Sequence, residues 1–256
     1  QEEYVTSRLL SIDGLTVQFG GLTALSNVSI EVHPGEVVGL IGPNGAGKTT
    51  LFNSICGLAP VSHGALTLND LSVEWPKPHQ LADLNIARTL QGVGLFPDLS
   101  VMENVKIGAH KFAKSSLLRS ILALDKKEEK ALEERATKAL ERVYASSLGD
   151  QQADSLPYPV QKRVAIARAL VNNPQLLLLD EPAGGLGHQD IEWMNTLIKN
   201  LKVETSILLV EHHMDVVMNV CDRIYVLNFG EVIAHGTPDE VRNNPAVIAA
   251  YLGADA

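Results

Sequence analysis

Cysteine, aromatic residues and basic charge are scarce in this sequence, and long apolar runs are absent from it. The two cysteines, Cys56 and Cys221, lie in apolar surroundings without metal-ligand spacing, so we expect buried thiols rather than a zinc site. The run from Val37 to Ile41 is typical of the apolar runs in this sequence. Such runs are far shorter than the roughly 20 residues that span a bilayer. We therefore expect no transmembrane helix.

Acidic residues outnumber basic ones, with 30 against 21, which gives a formal net charge of -9. Such a charge repels nucleic-acid phosphates and anionic lipid headgroups, so we expect no nucleic-acid partner. The residues from Gln1 to Tyr4 offer neither a basic segment nor an apolar stretch of signal-peptide length. On that ground we expect the chain to stay in the cytoplasm.

Three stretches of the chain differ in pattern. Up to about Gln91, and again from Leu176 to His235, short apolar runs alternate with helical patterns, which predicts a mainly parallel sheet with helices packed on it. The stretch between them is predominantly helical, and four residues share one predicted helical face: Leu132, Ala136, Leu140 and Val143. Thr237 and Glu240 have the spacing of a capping box, which predicts one more helix after the sheet.

A glycine-rich stretch directly follows the apolar strand and precedes a helical pattern. It consists of Gly42, Pro43, Asn44, Gly45, Ala46, Gly47, Lys48, Thr49 and Thr50, and it matches the phosphate-loop pattern. Glycines leave backbone N–H groups accessible to phosphate oxygens at a helix N-terminus. Lys48 is suited to neutralise β- and γ-phosphates, and the Thr49 hydroxyl is a ligand that Mg²⁺ accepts. The stretch therefore predicts a site for ATP with Mg²⁺.

Two adjacent carboxylates follow a second buried strand, Leu176 to Leu179. Asp180 suits a contact to Mg²⁺, as in other phosphate-loop enzymes, and Glu181 is placed to polarise an attacking water. Four leucines and two acids alone are weak evidence. Together with the phosphate loop they predict nucleotide hydrolysis.

With these two motifs in order and a helical stretch between them, the chain resembles ATP-binding-cassette (ABC) ATPases from about Leu9 to Leu252. The resemblance implies an α/β fold: a P-loop, RecA-like core with a mainly parallel sheet, an inserted helical subdomain and a small antiparallel β subdomain. It also implies one ATPase domain at residues 8–254. Within that domain the nucleotide-binding core would span 8–91 and 172–236, the helical subdomain 92–171 and the C-terminal helices 237–254.

The same resemblance assigns roles to three further residues. Phe19 takes the position of an aromatic ring that stacks on adenine, with a core phenylalanine as the alternative. Gln91 takes the position of a glutamine that reaches Mg²⁺ or the attacking water, and His212 that of a histidine at the γ-phosphate, with His213 as a second candidate. The expected catalytic residues are Lys48, Gln91, Glu181 and His212. The expected metal ligands are Thr49, Gln91 and Asp180.

Several short segments are similar to one importer group of the family, which serves branched-chain amino acids and urea. They include Ala87-Arg88-Thr89, Asp180-Glu181-Pro182-Ala183 and Asn244-Pro245-Ala246. This likeness implies two ATPase subunits, two membrane permease subunits and an extracytoplasmic solute-binding protein. It places the ATPase at the cytoplasmic face of the inner membrane.

One loop departs from the family pattern. Where members carry leucine-serine-glycine-glycine-glutamine, this chain has Leu156, Pro157, Tyr158, Pro159 and Val160. In a cassette dimer this signature loop faces the partner's ATP, and the prolines lack both the serine hydroxyl and the backbone N–H. The alternative is that Pro159 merely begins a helix and the loop still works. The hydrolytic residues are intact, whereas this loop departs from the pattern. Because a different partner could supply an ordinary signature loop, we favour a heterodimer with another ABC ATPase over a homodimer.

Two other functions compete with a transport ATPase. A soluble machine of the same superfamily would usually fuse two cassettes or insert long coiled coils, whereas this chain has one cassette and a compact helical insertion. A nucleotide-binding partner that scarcely turns over is the other alternative, and the intact Lys48, Asp180 and Glu181 speak against it. We therefore expect an ATP-hydrolysing importer subunit.

Overall fold

The computed structural model describes residues 7–89, 92–109 and 126–252. Its strands are β1 (Leu10–Phe19), β2 (Leu22–Val32), β3 (Val37–Ile41), β4 (His63–Leu68), β5 (Leu71–Val73), β6 (Ile86–Arg88), β7 (Leu176–Asp180), β8 (Ser206–Val210), β9 (Arg223–Asn228) and β10 (Glu231–Gly236). Its helices are α1 (Lys48–Ile55), α2 (Val101–Ile107), α3 (Lys126–Arg142), α4 (Tyr158–Leu170), α5 (His188–Leu201), α6 (Met214–Val220), α7 (Pro238–Arg242) and α8 (Pro245–Leu252).

The chain divides into two compact units, the first formed by the residues up to Pro78 and from Ile198 onward. In this unit an antiparallel sheet has the strand order β2-β1-β4-β5. A second set of strands is mainly parallel: β3 pairs in parallel with β8 and β9, and β10 is antiparallel to β9. All residues of β3 and β8 are buried, as their continuous apolar sequence predicts for parallel strands covered on both faces.

Both cysteines lie in the first unit, and both are free and buried, as predicted. Cys221 packs against the buried strand β3 so closely that a Cβ on Gly39 would lie 2.7 Å from its sulfur. Burial raises the pKa of the Cys221 thiol strongly, and the charges of Asp222 and Glu211 raise it further. The thiol is therefore a small apolar packing group.

The second unit spans His79–Leu197 and contains the parallel pair β6 and β7 together with helices α2, α3 and α4. The predicted face is buried, because Leu132, Ala136 and Leu140 of helix α3, and Val143 directly after it, are at most 7% exposed. Helix α2 begins with a capping box in which Ser100 and Glu103 bond each other's backbone N–H. The helical subdomain expected at residues 92–171 lies within this unit, and its boundaries stay a prediction.

The C-terminal part of the first unit confirms the predicted capping box. Thr237 Oγ1 accepts the N–H of Glu240 at 3.4 Å, and the Glu240 carboxylate accepts the N–H of Thr237 at 2.8 Å. Pro238 is the first residue of α7, where its missing N–H is harmless. None of the helices in the described ranges combines the length and apolar character needed to cross a bilayer.

The predicted fold class is confirmed. The structure is α/β, with mainly parallel strands and a separate antiparallel sheet. In the sequence, a helix-rich stretch lies between strands β6 and β7.

Candidate active site

The phosphate loop lies in the first unit, between the buried strand β3 and helix α1. Gly42, Gly45 and Gly47 adopt positive φ angles of 152°, 79° and 108°, which favour glycine. The Lys48 ammonium donates to the carbonyl oxygens of Gly42 at 2.7 Å and Pro43 at 3.0 Å. The Lys48 side chain thus folds back on the loop, and its ammonium group lies against the loop backbone.

Two glycines of this loop are required by close approach. A Cβ on Gly42 would lie 2.1 Å from the carbonyl oxygen of Leu227, and one on Gly47 would lie 2.6 Å from Leu25 Cδ2. Helix α1 starts without a side-chain cap from the described residues, and its first turn has no acidic residue. Its N-terminal N–H groups and the positive end of its dipole therefore suit an anionic phosphate group.

Tyr251 in helix α8 reaches the same loop. Burial raises the pKa of the Tyr251 hydroxyl, and a hydrogen bond with the backbone of Gly42 opposes that rise. The two residues are far apart in sequence, and the sequence analysis missed the contact. The C-terminal helix thus touches the first residue of the phosphate loop.

Phe19 ends strand β1 in the first unit. The residue is 46% exposed, and its backbone pairs with Leu22 across the hairpin. Phe19 is therefore not a core residue, and an exposed ring of this kind can stack on a nucleotide base.

His212 follows strand β8 in the first unit, in a turn organised by Glu211. The buried Glu211 carboxylate accepts the backbone N–H of His212 at 2.8 Å and of His213 at 3.1 Å, and the two imidazole rings lie 4.3 Å apart. The side chain of His212 is 53% exposed, whereas His213 occupies the N-cap position of helix α6 without a side-chain cap bond. Glu211 therefore holds the turn that presents His212, a role that the sequence analysis did not assign.

Asp180 lies at the end of the buried strand β7 in the second unit. Its Oδ2 lies 3.0 Å from Arg88 Nη2 on the neighbouring strand β6, and its backbone N–H donates to Thr89 Oγ1 at 3.3 Å. These contacts fix a carboxylate that is only 7% exposed. Carboxylate oxygens such as those of Asp180 are of the type that Mg²⁺ accepts.

Glu181 follows in a strained backbone conformation, with a φ of 48°, which is uncommon for a residue other than glycine. Its carbonyl oxygen accepts the N–H of Gly184 at 3.1 Å and the ammonium of Lys162 at 3.0 Å. The second unit therefore holds this carboxylate in a turn that is fixed from two sides.

The signature loop begins helix α4 in the second unit. Pro157 is the N-cap residue, without a side-chain cap bond, and Pro159 lies in the first turn, where a missing N–H is tolerated. Pro157 still accepts through its carbonyl, from the N–H of Val160 at 2.9 Å, and Gln161 Nε2 donates to Leu156 O at 2.9 Å. The two prolines are thus compatible with a regular helix start. Gln91 lies outside the described residues.

The matches to known proteins agree with these features. Residues 25–184 match the family described as ABC transporter. The chain belongs to the ABC transporter ATPases. It is a P-loop ATPase, of a family that binds nucleotide. Residues 231–256 also match a family described as branched-chain amino acid ATP-binding cassette transporter.

Similar ABC proteins cover almost the whole chain. The high-affinity branched-chain amino acid transport ATP-binding protein LivG of Escherichia coli K12 is 43% identical over 250 residues, covering 96% of this chain and 98% of LivG. The corresponding protein BraF of Pseudomonas aeruginosa is 38% identical over the same share. The lipopolysaccharide export system ATP-binding protein LptB of E. coli is 32% identical over 96% of the chain.

Solved ABC cassettes have the same fold. The ADP conformation of MJ1267, an ATP-binding cassette of an ABC transporter, matches with a TM-score of 0.86 and 32% identity, covering 97% of this chain and all of that one. The dimeric cassette MJ0796 bound to ADP and phosphate matches with a TM-score of 0.72 and 27% identity over 90% of this chain. The predicted membership of the ABC ATPases is confirmed.

Proposed function

We propose that this chain is the ATP-hydrolysing subunit of an importer that takes up a branched-chain amino acid or a related amide or urea-type solute through a separate permease. The observation that carries the proposal is the 43% identity over 96% of the chain to LivG. The match of residues 231–256 to the branched-chain amino acid cassette family supports it independently. The lower identity to the export protein LptB, 32%, favours import over export.

ATP would be bound chiefly by the chain's own phosphate loop. The N-terminal N–H groups of α1 and the Lys48 ammonium suit the β- and γ-phosphates, and the exposed ring of Phe19 suits the adenine. The oxygens of Thr49, Asp180 and Gln91 are the type that Mg²⁺ accepts, and the bound ion would neutralise charge on the phosphates. Thr50 continues helix α1 after the loop.

Hydrolysis would depend on Glu181 as the general base. Its carboxylate takes a proton from water while the water oxygen bonds to the γ-phosphorus and the bond from that phosphorus to the bridging oxygen breaks, which releases ADP and phosphate. His212 would contact the γ-phosphate and keep the reacting groups aligned. Lys48 would stabilise the negative charge on the phosphates as the bond breaks.

The assembly would hold the ATPase at the cytoplasmic face of the inner membrane against two permease subunits, with an extracytoplasmic protein delivering the solute. We favour a second, different ABC ATPase as the dimer partner. The reason is the combination of intact Lys48, Asp180 and Glu181 with prolines at positions 157 and 159, which remove a hydroxyl and two N–H donors from the loop that would face the partner's ATP.

Purification of the intact complex and its reconstitution into vesicles tests this proposal. We expect permease subunits to co-purify, and we expect labelled leucine, isoleucine or valine to accumulate only when ATP and the solute-binding protein are present. Uptake of urea or a short amide, without uptake of these amino acids, would identify the solute as an amide or urea-type compound. Co-purification with ribosomes and no permease would favour the soluble-machine alternative, and outward transport would overturn import.

A further inference from the structure

Lys162 is a buried cation in the first half of helix α4, and only 6% of it is exposed. Its ammonium donates to the carbonyl oxygens of Glu181 and Pro182, each at 3.0 Å. A buried ammonium is costly unless its hydrogen bonds are made. Lys162 therefore binds the turn after β7 firmly to the helix that begins with the signature loop.

The turn that Lys162 holds is the one that carries the strained residue. Glu181 has a φ of 48°, and a conformation of this kind persists only where the surroundings enforce it. The N–H of Gly184 supplies one bond to the Glu181 carbonyl from within the turn. Lys162 supplies a second from another element, so that it restrains the direction of the Glu181 backbone.

The signature loop meets the same turn at a second point. Tyr158 packs against Gly185, because a Cβ on that glycine would lie 3.1 Å from Tyr158 Cε1. The Lys162 ammonium lies 5.4 Å from the centre of the Tyr158 ring, within the range of a cation–π contact. The start of α4 and the turn after β7 thus form one packed cluster. Tyr158 and Lys162 contact each other within α4, and each also contacts the turn.

We propose that Lys162 is a positioning residue for hydrolysis, which fixes the backbone of Glu181 and links its orientation to the signature loop. The proposal rests on the role of Glu181 as general base. A shift of the start of α4, when the signature loop engages the partner's nucleotide, pulls on the Glu181 and Pro182 carbonyls through Lys162. Occupancy of one nucleotide site in the dimer is thereby communicated to the base of the other.

The test compares Lys162→Met with Lys162→Arg in the assembled transporter. Lys162→Met removes both hydrogen bonds, and we expect kcat for ATP to fall on the order of tenfold, since one positioning group is lost, while KM for ATP changes less than about twofold. Lys162→Arg keeps a cation that can reach the carbonyls, and it should recover most of kcat. Lys162→Gln, which retains an N–H donor, replaces the methionine variant if that variant does not fold.

Arg135→Met serves as the control, at an exposed cation of a neighbouring helix. Arg135 also donates from a cationic side chain to a backbone carbonyl, that of Val171 at 3.2 Å at the end of α4, without contacting the Glu181 turn. Unfolding midpoints of all variants are measured alongside the kinetics. The inference is overturned if Lys162→Met and Arg135→Met lower kcat equally, or if Lys162→Met raises KM and leaves kcat unchanged.

A parallel Glu181→Gln variant separates this inference from the proposed function. If Glu181→Gln abolishes turnover and Lys162→Met leaves it intact, Lys162 is not a positioning residue although Glu181 is the base. If Glu181→Gln leaves turnover unchanged, the role of Glu181 fails and the inference fails with it.

Discussion

Arg88 and Asp180 form an ion pair between two neighbouring parallel strands, with Arg88 Nη2 3.0 Å from Asp180 Oδ2 and the side chains only 14% and 7% exposed. Such a pair fixes the rotamer of the carboxylate, because the guanidinium holds one of its oxygens in place. The Asp180 side chain is therefore positioned by β6 as well as by the strand that carries it.

Arg88→Met should destabilise the protein strongly. The substitution leaves the Asp180 carboxylate buried without its cation, which typically costs about 3–5 kcal/mol of unfolding free energy. Denaturant unfolding measures the loss. Arg8→Met is the control, because Arg8 pairs with Glu31 and Asp70 at the surface, where an ion pair is worth about 1 kcal/mol or less. Equal losses in the two variants would contradict the structural role of the buried pair.

Glu181→Gln should separate ATP binding from hydrolysis. The amide keeps the shape of the side chain and cannot accept the proton, so we expect ATP affinity nearly unchanged and turnover reduced on the order of 10²-fold or more. Equilibrium binding of ATP and phosphate release by the assembled complex are the two measurements. Unchanged turnover would remove Glu181 from the role of general base.

The signature loop predicts unequal nucleotide sites in a heterodimer. Loss of one charge-assisted bond to phosphate costs about 1.5–3 kcal/mol, so the site facing Pro157 should bind or hydrolyse ATP on the order of tenfold or more poorly than its companion. Glu181→Gln here is compared with the equivalent change in the partner subunit, and we expect near-complete loss from the first and little from the second. Equal losses, or a fully active complex with two copies of this chain, would refute the asymmetry.

Tyr251→Phe should weaken ATP binding without unfolding the protein. Removal of the hydroxyl frees the backbone of Gly42, and a hydrogen bond of about 0.5–1.5 kcal/mol corresponds to an affinity loss of about two- to tenfold. Titration with a fluorescent ATP analogue measures it. Tyr225→Phe is the control, because the Tyr225 hydroxyl accepts the N–H of Glu31 at 3.1 Å, outside the phosphate loop. Equal affinity in wild type and Tyr251→Phe would show that the contact does not support the loop.

Cys221 should resist alkylation in the folded protein. Burial is the main cause of its raised pKa, with the charges of Asp222 and Glu211 adding to it, and the thiol rather than the reactive thiolate therefore persists at about pH 8.5. Labelling with iodoacetamide, followed by mass spectrometry, should modify Cys221 only after denaturant is added. Rapid modification under native conditions would contradict the packing of this residue.

The sequence was sufficient for features whose signal is local. The phosphate loop follows a strand and precedes a helix, as its glycine and lysine spacing requires, and the face formed by Leu132, Ala136, Leu140 and Val143 is buried. The capping box of Thr237 and Glu240 is also read from residues three apart. Each of these features depends on residues that are close to each other in the sequence.

Contacts between distant residues could not be predicted in the same way. Arg88 and Asp180 are 92 residues apart, and Lys162 and Glu181 lie on different elements. A lysine in a helix usually indicates a solvated face, so the burial of Lys162 has no periodic signal in the sequence. The contact of Tyr251 with Gly42 depends on how the C-terminal helix folds back, which no local pattern encodes.

The positive φ of Glu181 implies that stability and the proposed catalytic role favour different residues at this position. A glycine at this position would relax the backbone, and relief of left-handed strain is worth about 1 kcal/mol or more, whereas the same change would remove the carboxylate that we propose as the general base. Selection for stability alone would therefore favour the inactive residue. On the proposed role of Glu181, a stabilised but inactive Glu181→Gly variant is the expected evolutionary escape once transport is no longer under selection.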